Sequence, residues 1–244
     1  MQGTIIQRTI LIDGRPLQYS LERKCVKNLN LHVRKDGSVY VSANTTVPEE
    51  KIDEFLIRKG VFIRNAQKKF REQEQYKPLP KQYVSGETFY IQGRALRLKV
   101  TQANKDKIYS DGVYLFLEVN DTLDTAKKER MVNRYLDRQC KAVFGEIVES
   151  LYPVFQKYGV VPPVLRIRNM DTRWGSCLPG KGIITLNKRL LEAPRNCIEY
   201  VVMHEFCHFI HPNHSKHFYD FLAMLMPDWK ARKKILDANV AYYL

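Results

Sequence analysis

The chain has 244 residues, of which 44% are hydrophobic and 27% are charged, as in an ordinary globular protein. This length allows one large domain or two modest ones. No apolar run is long enough to cross a bilayer, so we expect no membrane-spanning segment and no membrane partner.

The net charge is +14, from 40 Lys and Arg residues against 26 Asp and Glu residues, and the excess is spread along the chain. A dispersed positive field attracts polyanions weakly and in a salt-dependent way. Two interpretations stay open: an ordinary solvated surface, or a weak association with nucleic acid through that surface.

The five cysteines form no C-x-x-C pair, and the first residues lack the pattern of a secretory signal peptide. An odd number of cysteines in this context predicts reduced thiols in a reducing compartment. We therefore expect a cytoplasmic protein.

The first half of the chain is rich in strand patterns. Asp13-Gly14 and Asp36-Gly37 are turn signals between short β-branched runs. Val47–Glu50 predicts the start of a helix that continues to about Gln75, with a break at Gly60 left open. No internal repeat is visible in the sequence. The predicted strands are 4–12, 29–33, 38–42, 87–91, 95–100 and 113–119.

From about Asp124 the hydrophobic period becomes helical, and Pro153 and Gly159 interrupt it further along the chain. Strands are predicted at 164–168 and 182–187, on either side of a loop at 171–181. Three helices should close the chain, near 194–211, 215–226 and 228–240. The predicted class is α+β, with a β-rich region over residues 1–123 that contains one helix, and an α+β region over residues 124–244.

Five of the six histidines lie between residues 204 and 217, and His204–His208 has the pattern H-E-x-x-H. On a helix, positions i and i+4 share one face, so both imidazoles can bind a single metal ion. Glu205 projects at a neighbouring angle, where it can take a proton from a metal-activated water.

A third ligand is needed because catalytic zinc takes three protein ligands and keeps one position open. Pro212 ends the helix, and His214 comes next in the turn, so we predict His214 as the third ligand; a later acidic residue is the alternative. We expect His211 to support the site or the substrate rather than the metal, and His217 to be a surface residue. We do not expect Cys177 or Cys207 to bind the metal as thiolates, since three histidines complete a hydrolytic site.

Several short segments match the pattern of a known family: 27–42, 172–177, 184–187, Leu190, Pro194, 200–208, 213–215, 218–219 and 226–229. In these segments the sequence resembles the YgjP-like metallopeptidases of the zincin-like clan. The WLM and SprT-like proteases, which act on proteins crosslinked to DNA, are similar in the metal-site helix. The resemblance implies a zincin-like C-terminal half, metal ligation by His204, His208 and His214, and Glu205 as the base. Tyr219 stands where Trp is usual in the family, and Phe206 where Leu is usual.

In zincins an edge strand beside the metal-site helix receives extended substrate by main-chain hydrogen bonds. We expect Gly182–Asn187 to be this strand and Arg173–Cys177 to be its hairpin partner. The oxyanion of the reaction needs a hydrogen-bond donor, for which Arg173, His211 and Tyr219 are candidates.

The sequence thus predicts a zinc-dependent metallopeptidase acting on proteins or peptides. One alternative is a zinc hydrolase of a non-peptide amide or ester. Another is a basic nucleic-acid-associated protein, either with structural zinc or with protease activity. A third is that the β-rich N-terminal half is a separate module that presents substrates.

Overall fold

The computed structural model describes residues 5–34, 36–75 and 80–240. The chain forms two compact units, residues 1–77 and 78–244. The described parts contain three small sheets and six α-helices, so the predicted α+β class is confirmed. Among these helices, none combines the length and the apolarity needed to cross a bilayer.

The first unit is a four-stranded sheet followed by two helices. Its strands lie in the order β1-β2-β4-β3, and its core includes Tyr19, Leu21 and Val41, all at most 1% exposed. The elements are β1 (Ile5–Ile12), β2 (Arg15–Arg23), β3 (Asn30–Val33), β4 (Val39–Ala43), α1 (Glu49–Arg58) and α2 (Gly60–Gln75).

The helix that was predicted to run to Gln75 is interrupted between Arg58, the last residue of α1, and Gly60, the first residue of α2. Lys59 ends α1, and its backbone N–H reaches the carbonyls of Phe55 and Leu56 at 3.1 Å. A Cβ atom at position 60 would lie 2.6 Å from Cγ2 of Ile12, so only glycine fits here without movement. The break therefore lets the second helix lie close against β1.

The second unit contains a four-stranded sheet, a three-stranded sheet and four helices. Asp124 caps the long helix α3 by accepting a hydrogen bond from the Lys127 N–H at 2.9 Å, at the point where the hydrophobic period of the sequence becomes helical. The elements are β5 (Thr88–Ile91), β6 (Arg94–Gln102), β7 (Lys107–Ser110), β8 (Tyr114–Val119), α3 (Thr125–Gln156), β9 (Val164–Arg168), β10 (Gly175–Leu178), β11 (Ile183–Asn187), α4 (Arg195–Cys207), α5 (Lys216–Leu225) and α6 (Trp229–Val240).

The two four-stranded sheets have the same topology, although the sequence shows no repeat. In each, an antiparallel hairpin is joined through a parallel central pair to a second antiparallel hairpin, giving the orders β1-β2-β4-β3 and β5-β6-β8-β7. The first hairpin of each sheet turns on two residues with positive φ, Asp13-Gly14 and Gln92-Gly93. Each unit thus contains a four-stranded module followed by helix.

The strands of residues 88–119 share one core with the C-terminal half of the chain. Leu98 and Leu117 belong to the same buried cluster as Phe144 of α3 and Phe206 of α4. The N–H groups of Gln92 and Gly93 also donate to carbonyls of residues 191 and 192, just before α4. The contacts therefore place residues 78–123 in the second unit, whereas the sequence analysis divided the chain between residues 123 and 124.

One expected strand role was wrong. Gly182–Asn187 was expected to be an edge strand, but β11 is the middle strand of the order β10-β11-β9, and all five of its residues are buried. It pairs antiparallel with β10 and parallel with β9. Burial of both faces of β11 suits a central strand. Its hairpin partner, β10, is therefore the strand at one edge of this sheet.

Replacing Gly60 by Ala should destabilise the first unit by about 1–3 kcal/mol, because the new methyl group would overlap Ile12. Both tryptophans lie in the second unit, at positions 174 and 229, so urea unfolding should be followed by far-ultraviolet circular dichroism.

The matched control is Gly145→Ala in α3, where a Cβ atom meets nothing within 4 Å. That change should stabilise the protein by about 0.5–1 kcal/mol through helix propensity. Equal effects of the two substitutions would contradict the packing explanation.

Candidate metal centre

Helix α4 carries His204 and Glu205 and ends immediately before His208. It is surrounded by the core of its unit, with Ile198, Val202 and Phe206 fully buried. The α-helix stops at Cys207, earlier than the predicted residue 211, and continues as a turn. His208 nevertheless keeps right-handed helical angles (φ −67°, ψ −18°), so the i, i+4 relation of the two histidines is preserved.

His214 reaches the same place from the loop between α4 and α5. Its Nε2 atom lies 2.9 Å from Nε2 of His204, and ligand nitrogens of His204, His208 and His214 all lie within 4.8 Å of one another. Ser215 follows at once as the N-cap of α5 and accepts a hydrogen bond from the Phe218 N–H at 3.4 Å. The start of α5 therefore fixes where the third histidine stands.

The three imidazoles rest on one buried aromatic ring. The centroid of Phe218 lies 4.9, 4.7 and 4.8 Å from those of His204, His208 and His214, and Phe218 is fully buried. Tyr219 stacks against His214 on another side, with the centroids 6.0 Å apart. These contacts limit the rotamers of the histidines, which prepares the cluster for a common ligand.

The orientation of His208 is set by its neighbour three residues later. Nδ1 of His208 lies 3.2 Å from the backbone carbonyl oxygen of His211. A carbonyl can only accept, so Nδ1 carries the proton and Nε2 is left with a free lone pair for a metal. The supporting role expected of His211 is thus performed by its backbone, while its ring packs edge-on against Phe221 at 5.3 Å.

The buried imidazoles are held in the neutral form that ligates metals. Burial, assisted by the neighbouring His208 and His214, lowers the pKa of His204 to about 3. Burial also lowers the pKa of His208, against the opposing effect of the His211 carbonyl. Nδ1 of His204 is buried and has no hydrogen-bond partner within the described ranges. A site that desolvates two neighbouring imidazoles in this way, and brings the exposed His214 ring beside them, is suited to a cation bound through nitrogen.

Glu205 is 5% exposed and lies against the backbone of β10. A Cβ atom at Gly175 would lie 2.6 Å from Oε1 of Glu205 and 2.9 Å from its Cγ. Burial raises the pKa of Glu205 to about 8, and Arg173 opposes that rise. Gly175 therefore leaves the space that the Glu205 carboxylate occupies, and any larger residue at this position would displace the carboxylate.

Asn187 holds the loop that leads into β10. Its buried amide donates from Nδ2 to the carbonyl oxygens of Met170 at 2.7 Å and Arg173 at 3.0 Å. Its Oδ1 accepts from the N–H groups of Arg189 at 3.2 Å and Met170 at 3.4 Å. One fully buried side chain thus connects both ends of the turn before the metal centre, a role that the sequence analysis did not assign to it.

The comparison with known protein families gives one result of wide coverage. Residues 27–239 match the family model described as "YgjP-like, metallopeptidase domain". The chain belongs to the YgjP-like metallopeptidase family. The family implies a metal ion, for which the three histidines are a suitable binding set, and it implies peptide substrates.

Among solved structures, this YgjP-like chain is similar to the crystal structure of the metallopeptidase zymogen of Pyrococcus abyssi abylysin. The two chains are 20% identical, with a TM-score of 0.36, and the match covers 41% of this chain and 94% of that one. A search of curated proteins gave no match.

A cavity of about 610 Å³ opens onto His204, Glu205, His208 and His214. Of the three oxyanion candidates, Arg173 lines it, whereas His211 and Tyr219 are not among the described residues that do. Sequence reasoning missed other lining residues. Tyr200 could have been found, since it precedes His204 by one helical turn; the α6 residues gave no such signal. The missed residues include Tyr200, Lys233, Leu236 and Asp237.

Two thiols lie near the metal centre, and both are protonated at neutral pH. Burial, with a contribution from Glu205, raises the pKa of Cys177 and of Cys207 to about 12. Neither belongs to the histidine cluster of the described chain, and all five cysteines are free of disulfides. A thiolate ligand is therefore disfavoured on electrostatic grounds as well.

Replacing Asn187 by Leu should lower the free energy of unfolding by about 2 kcal/mol, because it removes the four hydrogen bonds that this buried amide makes to backbone groups of the loop. Urea unfolding of the purified protein measures this. Asn169→Leu, at an exposed position of the same loop, is the control and should change stability by no more than about 0.5 kcal/mol. A similar small effect at both positions would show that Asn187 does not hold the loop.

Proposed function

We propose that the chain is a zinc-dependent metallopeptidase in which His204, His208 and His214 hold the metal and Glu205 is the general base. The observation that carries the proposal is the meeting of three imidazoles beside one buried carboxylate in an open cavity. We also propose a cytoplasmic location, which the five free thiols support.

The donor set favours zinc. Three imidazole nitrogens leave a fourth position free, which is the usual arrangement of catalytic zinc, whereas structural zinc is usually closed by cysteines. Two nitrogens on one zinc ion lie about 3.4 Å apart, given Zn–N bonds of about 2.0–2.1 Å. The 2.9 Å separation in the nearest histidine pair and the 4.8 Å limit for the set bracket this value, so small side-chain movements suffice.

When bound, zinc supplies a Lewis acid that makes a water molecule acidic near neutral pH and polarises the substrate carbonyl. Glu205 accepts the proton of the attacking water and delivers it to the leaving amine. Burial raises the pKa of this carboxyl, and a cation held by the three histidines would lower it again, so that the group could be ionised to take up a proton and then release it. Arg173 is our choice of oxyanion donor because its side chain lines the cavity and its charge acts on Glu205.

We further propose that extended substrate pairs with β10 in a zincin-like arrangement. β10 is an edge strand whose one described sheet partner is β11, and Gly175, Ser176 and Cys177 line the cavity. Main-chain pairing along such an edge would place a scissile carbonyl beside Glu205 without demanding a particular side chain. Helix α4 packs against β10 and β11, which supports the same arrangement.

The metal assignment is tested by elemental analysis and by hydrolysis of a panel of unfolded proteins, peptides and amidase substrates. Wild type should hold about one zinc per chain, His208→Ala should lose it, and Glu205→Gln should keep zinc but lose turnover. His217→Ala, at an exposed histidine outside the cluster, is the matched control and should behave as wild type.

Retained hydrolysis in Glu205→Gln would overturn the role of Glu205. Loss of zinc in the His217 variant together with its retention in the His208 variant would overturn the ligand set. Turnover of amidase substrates but of no peptide would replace the peptidase by a non-peptide zinc hydrolase.

The close approach of β10 gives a second test. Gly175→Ala should lower kcat by about 10- to 100-fold, because the added methyl group displaces the Glu205 carboxylate, while zinc content stays unchanged. Gly180→Ala, where a Cβ atom meets nothing within 4 Å, should leave kcat unchanged. If the two alanine variants have equal kcat values, β10 does not position Glu205.

A further inference from the structure

The outer faces of the two four-stranded sheets carry aromatic residues at corresponding positions. In β8, Phe116 lies between the fully buried Leu115 and Leu117 and points to the opposite face. In β4, Tyr40 lies in the same way between Val39 and Val41, which are at most 1% exposed. Both rings are only partly buried. Neither ring belongs to a buried cluster of its sheet, so part of each ring faces solvent.

Cations lie over these rings in both sheets. The Lys99 ammonium is 4.6 Å from the ring centroid of Tyr114 and 5.6 Å from that of Phe116. In the other sheet, the Arg34 guanidinium lies 5.0 Å and the Lys24 ammonium 5.9 Å from the centroid of Tyr40. Each aromatic face is thus within reach of long, flexible, positively charged side chains.

The outer face of the second sheet carries three rings. Tyr109 stacks on Phe116 with centroids 4.9 Å apart and planes at 14°, and Tyr114 lies 5.9 Å from Phe116. The Lys107 ammonium lies 4.6 Å from the centroid of Tyr109. Arg97, opposite Tyr114 on β6, adds another exposed cation.

Acidic groups on these faces are few and are already engaged. Glu118 accepts a hydrogen bond from the Tyr109 hydroxyl at 3.1 Å, and Glu22 accepts one from Tyr40 and pairs with Lys24. Asp111 accepts backbone hydrogen bonds within the turn before β8. The exposed lysines and arginines therefore make these two outer faces positively charged.

We propose that these two outer faces bind single-stranded nucleic acid, with Phe116 and Tyr40 each stacking against a base. Unpaired bases stack on aromatic side chains whatever their sequence, and the neighbouring cations would move off the rings to the phosphates. The net charge of +14 favours this polyanion over an apolar or basic partner. The proposal rests on residues other than those of the candidate metal centre and does not depend on peptidase activity.

The test is fluorescence anisotropy of labelled oligo-dT and oligo-U of about 15 nucleotides with the full-length protein, at about 50 mM and about 200 mM salt. Wild type should bind single strands, more weakly at the higher salt. Phe116→Leu and Tyr40→Leu keep an apolar side chain but remove the ring, and each should weaken binding by at least about fivefold. Tyr158→Leu, at an exposed aromatic residue outside both sheets, should bind as wild type. Thermal melting checks that every variant is folded.

Three results would overturn the proposal. The first is no binding of either oligonucleotide at the lower salt. The second is equal affinity for a duplex of the same length, because paired bases cannot stack on the rings. The third is binding of an acidic polypeptide such as polyglutamate, but of no oligonucleotide, with the same sensitivity to Phe116→Leu. A difference between oligo-dT and oligo-U would identify which nucleic acid is preferred.

Discussion

The burial of one carboxylate against a strand backbone is the constraint on which the candidate site depends. Glu205 lies on a helix whose other faces are in the core, and Gly175 lets β10 come within van der Waals distance of its side chain. Burial raises the free energy of the ionised form of Glu205, and a nearby positive charge lowers that free energy again. A carboxylate in this environment therefore responds strongly to a cation, which a solvated one would not.

The supporting structure acts on this arrangement at several points. Asn187 fixes the turn before β10, the Gln92-Gly93 turn holds the segment before α4, and Phe218 lies beneath the histidines. These contacts come from parts of the chain far apart in sequence. The metal centre is thus assembled by the core of the second unit as a whole.

The sequence predicts the local features of this chain well and the long-range ones poorly. The spacing of His204 and His208 and the start of a helix at about Asp124 depend on neighbours within a few residues, and the structure has both features. The edge position of β10 and the grouping of residues 78–123 depend on partners that periodicity does not reveal. Strands β2 and β7 were not named either, although Leu17, Tyr19 and Leu21 of β2 alternate with more polar residues. The shared topology of the two four-stranded sheets was not predicted, because they share turns and a burial pattern but no repeated sequence.

The early end of α4 has an electrostatic consequence. Because the α-helix stops at Cys207, its last carbonyl groups lie beside His208, where the helix macrodipole places about half a negative charge. Such a field favours any cation by about 0.3–1 kcal/mol, whether a proton on an imidazole or a metal ion. Burial outweighs this field for the proton, since the pKa of His208 is lowered in spite of it, but a divalent ion would gain about twice as much from the same dipole. The end of this helix would therefore favour a metal ion over a proton at the same nitrogens.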